Sequence, residues 1–436
     1  MKEGLKLIKE VSSDLLVRNA ILILIGIILL TGCGKKPLLQ EVSVSPEVIT
    51  PNADGQTDLA KITFLLNHSA NVSISLHDTA GRTYVFRPPT PLGLNKEPYE
   101  VFFGGVVEGF KKEEETWPDY TVTKRMLPDG HYTWQITADP TEDTQVVEET
   151  PQDERVEVTG TITIQDADTT LPAIRGFSVY PKEFSPNQDG IADRVTLNLE
   201  LKKDAEELSV YLLSPDGTRH HIPEDEGQTP LNEAGWHTFD YDGGIDLGVE
   251  PPPDGVYTVS AEARDRMGQR VIATDTVRII NAGLPAAYIL NGEVTFDPTT
   301  LVLSDTICFT MTVENDSNTY IRTTGPWPGT TYRSDQNFNT LGWSEESGAF
   351  RVGVNYDTSL RDYPFRWGVG MPDQDLVQIE DYWYLPPFSR SNVTGCIQIV
   401  DIPPRNPLYY WGGLIHEDVE IAAVNHRVDP HFIRIW

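Results

Sequence analysis

Apolar and polar residues alternate along much of the chain. Ile62, Phe64 and Leu66 are apolar at every second position, and the same pattern recurs at 195–201 and 208–212. Alternation with a period of two is typical of β-strands that bury one face. These segments carry no helical periodicity. The pattern therefore predicts an all-β protein.

A short acidic turn occurs twice, each time before such alternating segments. It reads Pro-Asn-Ala-Asp-Gly-Gln-Thr-Asp at 51–58 and Pro-Asn-Gln-Asp-Gly-Ile-Ala-Asp at 186–193. A Pro-Asp-Gly turn and a Tyr-containing strand follow later in each copy, from 128 and from 253. Each unit thus has about seven short strands separated by turns, which is the pattern of an immunoglobulin-like or fibronectin-like β-sandwich.

Three motifs of the second copy resemble those of a known domain family. They are the acidic turn, the segment Gly-Trp-His-Thr-Phe-Asp-Tyr-Asp-Gly-Gly at 235–244 and the Pro-Asp-Gly-x-Tyr motif. The combination is similar to the Ig-like domain of flagellar hook-capping proteins and to the C-terminal repeats of bacterial surface and gliding-motility proteins. The first copy departs from it at 101–105. The resemblance implies a scaffold or adhesion module and supplies no catalytic residues.

The composition changes after Leu284, where six of the nine tryptophans lie and the acidic turn is absent. Alternating segments at 306–313 and 395–400 continue the strand pattern. We expect a third, larger sandwich, which loosely resembles Ig-like modules of bacterial surface proteins. The predicted organisation is a signal peptide, a tether and three sandwiches, with bounds 1–32, 33–43, 44–166, 174–281 and 284–436.

The N-terminus has the pattern of an export signal. Four basic residues, Lys2, Lys6, Lys9 and Arg18, precede the apolar run 21–30, which is too short to span a bilayer as a helix. The run ends in Leu-Thr-Gly-Cys, which resembles the signal of bacterial lipoproteins. That resemblance implies an acylated (palmitoylated) Cys33 and a location on the outer face of the cell membrane.

Composition excludes some functions. With 34 basic and 65 acidic residues, the net charge of −31 argues against a nucleic-acid partner. The chain contains no Gly-x-Ser-x-Gly, His-Glu-x-x-His or phosphate-loop motif, so we expect no enzymatic activity and no cofactor other than calcium.

Calcium is a candidate because the acidic turn matches the middle of an EF-hand loop. The glutamate that would complete such a loop is missing from both copies, and an Asx-type turn is the alternative interpretation. The candidate ligands are Asn187, Asp189 and Asp193, with Asn52, Asp54 and Asp58 in the first copy.

Two cysteines lie in the predicted third sandwich. Cys308 and Cys396 both fall on the polar phase of their strands. Exported proteins can oxidise such pairs. We therefore predict a disulfide between adjacent antiparallel strands on the outer face, where opposed residues are close enough to bond.

Aromatic residues of the last third are the candidate ligand-binding positions: Trp327, Tyr332, Trp343, Trp367 and Trp383. They would stack on sugars or on a partner protein, or alternatively fill the core of the sandwich. The favoured function is a lipid-anchored surface scaffold or adhesion protein that displays this domain. A carbohydrate-binding surface protein is the alternative.

A less favoured function is that of a degenerate cell-wall hydrolase accessory. Residues 419–434 are similar to the opening helix of lytic transglycosylases, without the catalytic glutamate such a domain needs. A closing hairpin of the sandwich is the preferred interpretation of this segment. The partner of the last domain, a protein or a glycan, is left open.

Overall fold

A computed structural model of the chain describes residues 37–112, 119–141, 155–224 and 229–436. The predicted signal peptide and Cys33 lie outside these residues. The described chain is all-β, as the sequence predicts, and none of its helices is long and apolar enough to cross a membrane. The described residues divide into two compact units, the first with 37–112, 122–141, 155–170 and 266–269 and the second with 119–121, 171–224, 229–265 and 270–436.

The first unit contains ten strands. They are β1 (Leu39–Ser45), β2 (Val48–Ile49), β3 (Ala60–Leu66), β4 (Ala70–His77), β5 (Thr83–Leu92), β6 (Tyr99–Phe103), β7 (Val106–Glu108), β8 (Thr121–Met126), β9 (Gly130–Pro140) and β10 (Val156–Ile164).

Two sheets form the sandwich of the first unit. One has the order β1-β3-β6 and the other β2-β10-β9-β4-β5, and β7 pairs with β8. The inward phase of β3 and β4 is buried at every second residue, including Ile62, Phe64, Val72 and Ile74, because the two sheets pack face to face.

The second unit begins with a sandwich of the same topology. Its strands are β11 (Ile174–Tyr180), β12 (Glu183–Phe184), β13 (Val195–Leu201), β14 (Glu207–Leu213), β15 (Arg219–Ile222), β16 (Gly235–Tyr241), β17 (Gly255–Arg264) and β18 (Arg270–Ile279), with a 3-10 helix at Ile245–Leu247. The orders β11-β13-β16 and β12-β18-β17-β14-β15 match those of the first sandwich strand for strand.

The remaining strands of the second unit form a third sandwich. They are β19 (Ala287–Asp297), β20 (Thr300–Leu301), β21 (Thr306–Asn315), β22 (Ile321–Thr323), β23 (Thr331–Arg333), β24 (Phe350–Tyr356), β25 (Phe365–Gly368), β26 (Val377–Ile379), β27 (Tyr382–Leu385), β28 (Arg390–Gln398), β29 (Leu408–His416) and β30 (Val428–Ile435), with 3-10 helices at Phe338–Leu341 and Ala423–Asn425. Its sheets have the orders β19-β21-β28-β23 and β20-β30-β29-β24-β22-β27-β26, with β25 beside β24.

All three sandwiches begin in the same way. A bulged first strand ends at a cis X-Pro bond, at Pro46, Pro181 and Pro298. A two-residue strand follows and pairs in parallel with the last strand of its own sandwich. The third sandwich therefore shares the entry of the first two although it lacks their acidic turn.

The last part of the chain closes the third sandwich. Residues 428–435 form β30, which pairs antiparallel with β29, and the only helical part of 419–434 is the short 3-10 helix. The helix implied by the resemblance to lytic transglycosylases is therefore wrong. Ile433 and Ile435 are two residues apart and both lie in the core, and this spacing is that of a β-strand.

Candidate functional site

The two acidic turns are closed by the same hydrogen bonds. The Asp193 carboxylate accepts a hydrogen bond from the backbone N–H of Gly190 at 2.7 Å, and the Asp58 carboxylate accepts one from Gly55 at 2.8 Å. Both carboxylates also accept from other N–H groups of their own turn. The final aspartate of each motif thus binds the backbone of its turn and fixes the entry to the next strand.

The other candidate calcium ligands have similar local partners. The side-chain oxygens of Asn187 and Asp189, and of Asn52 and Asp54, each accept a hydrogen bond from the N–H two residues further along. Across the described residues, no group of three or more His, Cys, Asp or Glu side chains is arranged to hold a metal ion. The local geometry is that of an Asx turn, and calcium binding stays a prediction.

The second acidic turn docks into the third sandwich, a contact within the second unit that we call the junction. Arg322 donates a hydrogen bond from Nε to the Asp189 carbonyl at 2.6 Å, and the Tyr384 hydroxyl donates to the Asp189 carboxylate at 3.1 Å. His416 Nε2 lies 2.8 Å from the Gln188 carbonyl. Because a carbonyl oxygen only accepts, this contact requires a proton on Nε2.

Two glycines allow the backbones to approach closely at the junction. A Cβ on Gly348 would lie 2.1 Å from the Asp189 carbonyl carbon, and a Cβ on Gly190 would lie 2.0 Å from the Ser347 oxygen. Arg322 also donates to that oxygen. Side chains at these two positions would separate the turn from the third sandwich.

The two turns consequently differ in burial. Asn187 and Asp189 are 3% and 5% exposed, whereas Asn52 and Asp54 are fully on the surface. The local hydrogen bonds are shared, so the difference comes from the groups that surround the second copy.

Burial changes the ionisation of the junction. It raises the pKa of Asp189, and burial beside Asp189 raises the pKa of Asp193 to about 6. Burial also lowers the pKa of His416 to about 4, so this histidine is neutral at pH 7. The pKa of Tyr384 is raised by burial and by the neighbouring Asp189 charge.

A buried charge cluster supports the junction from inside the third sandwich. Glu417, 2% exposed, accepts hydrogen bonds on Oε1 from Arg351 and Arg366, both at 2.9 Å. Its Oε2 accepts from the backbone of Glu346 at 2.6 Å, and its carbonyl accepts from the Gly348 N–H at 2.8 Å. Glu417 therefore holds the segment that contacts Asp189.

A cleft of about 690 Å³ borders the junction. Arg194 projects into its acidic wall and binds Asp240 at 2.6 Å and Asp246 at 2.7 Å. Arg194 is the one basic residue among the lining residues, against five acidic ones, so it compensates only part of the acidic charge of the cleft. The lining residues include Gln188, Asp193, Asp242, Leu284, Asp418 and Glu420.

The two cysteines of the third sandwich form a disulfide. Cys308 of β21 is paired directly with Cys396 of β28 in antiparallel register, with Cα atoms 4.0 Å apart. Both residues lie on the outward phase of their strands, between buried neighbours. The bond therefore links neighbouring strands of one sheet.

Two candidate ligand-binding aromatics belong to the core. Tyr332 and Trp367 are fully buried and contact each other edge to face. The Tyr332 hydroxyl donates a hydrogen bond to the Arg366 carbonyl, and the Trp367 Nε1–H donates one to the Thr330 carbonyl. They cannot stack on a ligand in this structure, so for them the core interpretation holds.

The other three candidates are partly buried. Trp327, Trp343 and Trp383 pack against the same core. A Cβ on Gly368 would lie 2.9 Å from the Trp327 ring, which shows that this indole folds back onto the sheet. The Gly-Pro-Trp-Pro-Gly loop therefore does not extend its Trp freely into solvent.

No protein-family model matches the chain, and no curated protein matches it. Among solved structures, it is similar to a tetra-tandem repeat in the extending region of a large adhesion protein, with 11% identity, 90% of this chain and 87% of that chain covered, and a TM-score of 0.17. It is also similar to a DUF4785 family protein from Legionella pneumophila, with 7% identity, coverage of 90% and 84%, and a TM-score of 0.19. These low TM-scores carry no functional argument.

Sequence reasoning missed the residues that receive the second turn: Arg322, Gly348, Arg351, Arg366, Tyr384, His416 and Glu417. A signal was present, because Arg351 and Arg366 each follow a Phe and precede another apolar residue inside a strand. A cation in such a position is buried and needs a carboxylate partner. The sequence does not reveal that the partner is Glu417.

Proposed function

We propose that this chain is an exported, lipid-anchored surface protein that acts as a scaffold, with no catalytic role. In this proposal the tandem sandwiches carry the third one away from the membrane, where it meets an adhesion or assembly partner. Nucleic acid is not among the proposed partners, because the net charge is −31.

The docked turn is the observation that carries the scaffold role. Its contacts with Arg322, Tyr384 and His416 are buried and directional. Domain contacts of this kind resist the relative motion expected of sandwiches joined by a loose linker. A spacer that must present a terminal domain in a defined orientation needs such a contact.

The polar groups at the junction also favour a structural role over a catalytic one. Asp189, Asp193 and His416 all have protein partners that their folded positions require. His416 stacks on Phe350, with ring centroids 4.0 Å apart, which leaves its ring enclosed. Groups used in this way are not available to a substrate.

The anchor is proposed from the sequence. The basic segment, the apolar run and the Leu-Thr-Gly-Cys box ending at Cys33 match a lipoprotein signal. Acyl chains bind membranes through their buried methylene groups, and attachment of two or more gives stable anchoring.

The test combines labelling and localisation in a bacterial host that processes lipoproteins. We expect the wild-type chain to incorporate a labelled palmitate analogue, to fractionate with membranes and to be cleaved by protease added to intact cells. Cys33→Ser should lose the label and the membrane fraction, whereas Cys308→Ser should keep both. Equal labelling of Cys33→Ser and wild type would refute the anchor, and protection from external protease would refute the surface location.

A further inference from the structure

A polar cleft of about 360 Å³ lies on the outer face of the third sandwich, away from the junction residues. This volume falls at the lower end of the range for small-molecule pockets. Three segments line it: the first half of β28, the turn after Gly370 and the end of the Trp327 loop. The lining residues are Pro328, Gly329, Met371, Gln374, Asp375, Arg390, Ser391, Asn392 and Thr394.

The walls of this cleft are fixed by backbone and side-chain contacts. Gly329 donates its N–H to the Thr394 carbonyl at 2.7 Å, which holds the loop against β28. Asp375 Oδ2 accepts hydrogen bonds from the Met371 N–H at 3.1 Å and the Ser391 hydroxyl at 3.0 Å. These bonds tie the turn to the same strand, so the cleft is formed before any ligand binds.

Gly370 is required for this arrangement. Its φ is +95°, and a Cβ there would lie 2.9 Å from the Ser391 hydroxyl and 3.0 Å from the Leu376 side chain. Only glycine lets the turn pack this closely at such a φ.

Several polar atoms of the residues that line the cleft have no hydrogen-bond partner in the part of the chain that the structure describes. Within the described residues, Asp375 Oδ1 and the Gln374 side chain accept or donate no hydrogen bond. Asn392 uses its oxygen to accept from Thr312 at 2.7 Å, which leaves its amide hydrogens available. The cleft thus offers a carboxylate acceptor and amide donors and acceptors within one small volume.

The charge and the apolar surface of the cleft narrow the class of ligand. Asp375 and Arg390 are its two ionisable residues, and Arg390 is paired with Glu314 outside the cleft at 2.9 Å, so Asp375 is the ionised group that remains for a ligand. Pro328 and Met371 supply apolar surface beside the polar groups. A ligand with many hydroxyl groups and an apolar C–H face matches this combination, because hydroxyl groups donate to the Asp375 carboxylate, which would repel an anionic ligand.

We propose that this cleft binds a neutral saccharide of one or two pyranose rings. The Gln374 amide, the Asn392 amide and Asp375 Oδ1 bond ring hydroxyls, while a C–H face rests on Pro328 and Met371. The proposal gives the displayed third sandwich of the proposed scaffold a ligand class. It places the sugar at polar side chains rather than on the aromatic residues singled out from the sequence.

Binding is tested with the purified full chain in solution and defined probes. Cellobiose, lactose and N,N′-diacetylchitobiose are the neutral probes, sialyllactose the anionic one and chitosan dimer the cationic one, all titrated calorimetrically. Gln374→Ala removes a cleft amide. Gln378→Ala is the matched control, because Gln378 is also exposed, on β26, and lies outside the cleft.

We expect at least one neutral probe to bind and the charged probes to bind more weakly. Gln374→Ala should weaken binding of that neutral probe about fivefold or more, as loss of a ligand hydrogen bond does, while Gln378→Ala stays within about twofold of wild type. Absence of binding by all neutral probes, equal effects of the two variants, or tighter binding of a charged probe would overturn the proposal. The experiment needs no membrane anchor, so its failure is distinguishable from failure of the scaffold proposal.

Discussion

The first and second acidic turns share a sequence and a hydrogen-bond pattern but have different surroundings. In both, a final aspartate binds the N–H of the turn glycine, at 2.8 Å for Asp58 and 2.7 Å for Asp193. The first turn is open to solvent, whereas the second is enclosed by Arg322, Tyr384 and His416. The same local motif therefore leads into a strand in both copies. In the second copy it also forms a contact with another sandwich.

This difference shows that one copy of a repeated turn can gain a domain contact while its own sequence motif stays the same. The residues that distinguish the second turn belong to the third sandwich, at distances of more than 100 residues along the chain. They contact mainly the backbone carbonyls of the turn, which any sequence would present. The second turn itself contributes a backbone conformation that the backbone of Gly348 can approach closely.

The largest expected effect is the difference in the free energy of unfolding between loss of a buried carboxylate and loss of an exposed one. Glu417→Gln removes the buried carboxylate that Arg351 and Arg366 share and leaves them only the longer contacts to Glu346 at 3.9 Å and Glu345 at 3.5 Å. It should destabilise the second unit by about 3–5 kcal/mol. The exposed pair Lys61–Glu100 of the first unit provides the control, and Glu100→Gln should cost less than about 1 kcal/mol. Urea denaturation of the full chain, with hydrogen exchange of strands from each unit, measures the loss of stability in both variants. Equal losses of stability in the two variants would contradict the role given to Glu417.

The next effect is a dependence of stability on pH. The pKa of Asp193 is raised to about 6 from 3.8, so the folded state holds a proton that the unfolded state has lost, and this residue favours folding as the pH falls from about 6 to 4. The pKa of His416 is lowered to about 4 from 6.5, so this residue opposes folding as the pH falls from 6.5 to 4. The two contributions oppose each other.

Single substitutions should expose each contribution. Asp193→Asn should make the second unit lose stability more steeply than wild type on acidification, by on the order of 3 kcal/mol between pH 6 and 4. His416→Gln should change the slope in the opposite direction. Denaturation midpoints at several pH values give these slopes, and slopes unchanged from wild type in both variants would show that the turn is not buried as described.

A smaller effect distinguishes the turn glycines. Gly55 and Gly190 have φ of +82° and +81°, so alanine adds a similar strain of about 1 kcal/mol at either position. Nothing lies within 4 Å of a Cβ on Gly55, whereas a Cβ on Gly190 would clash with the Ser347 oxygen at 2.0 Å. Gly190→Ala should therefore cost its unit about 2 kcal/mol more than Gly55→Ala costs the other. Matching losses, measured by the same denaturation assay, would mean that the junction contributes nothing.

The strand content and the repeat could be predicted from the sequence because both are local properties. Alternation at Ile62, Phe64 and Leu66 and the position of the acidic turns identify strands and their entry. The shared entry of the third sandwich was also readable: an apolar residue, one further residue and a proline stand at 44–46, 179–181 and 296–298.

The junction could not be predicted because it depends on contacts between distant residues. Arg322 stands between Ile321 and Thr323, and no local pattern tells that its guanidinium reaches the Asp189 carbonyl. The burial of Tyr332 and Trp367 could not be predicted for a related reason. Packing against distant residues decides that Trp367 is fully buried and that Trp327 is partly exposed.

The most direct test of the comparison is amide hydrogen exchange of the two turns in the unmodified full chain. The N–H groups of Gly55 and Gly190 have equivalent acceptors, so local hydrogen bonding cancels and burial alone distinguishes them. We predict that residues 186–193 exchange about 100-fold or more slowly than residues 51–58, because exchange in the second turn requires opening of the junction. Equal exchange rates in the two turns would contradict the account.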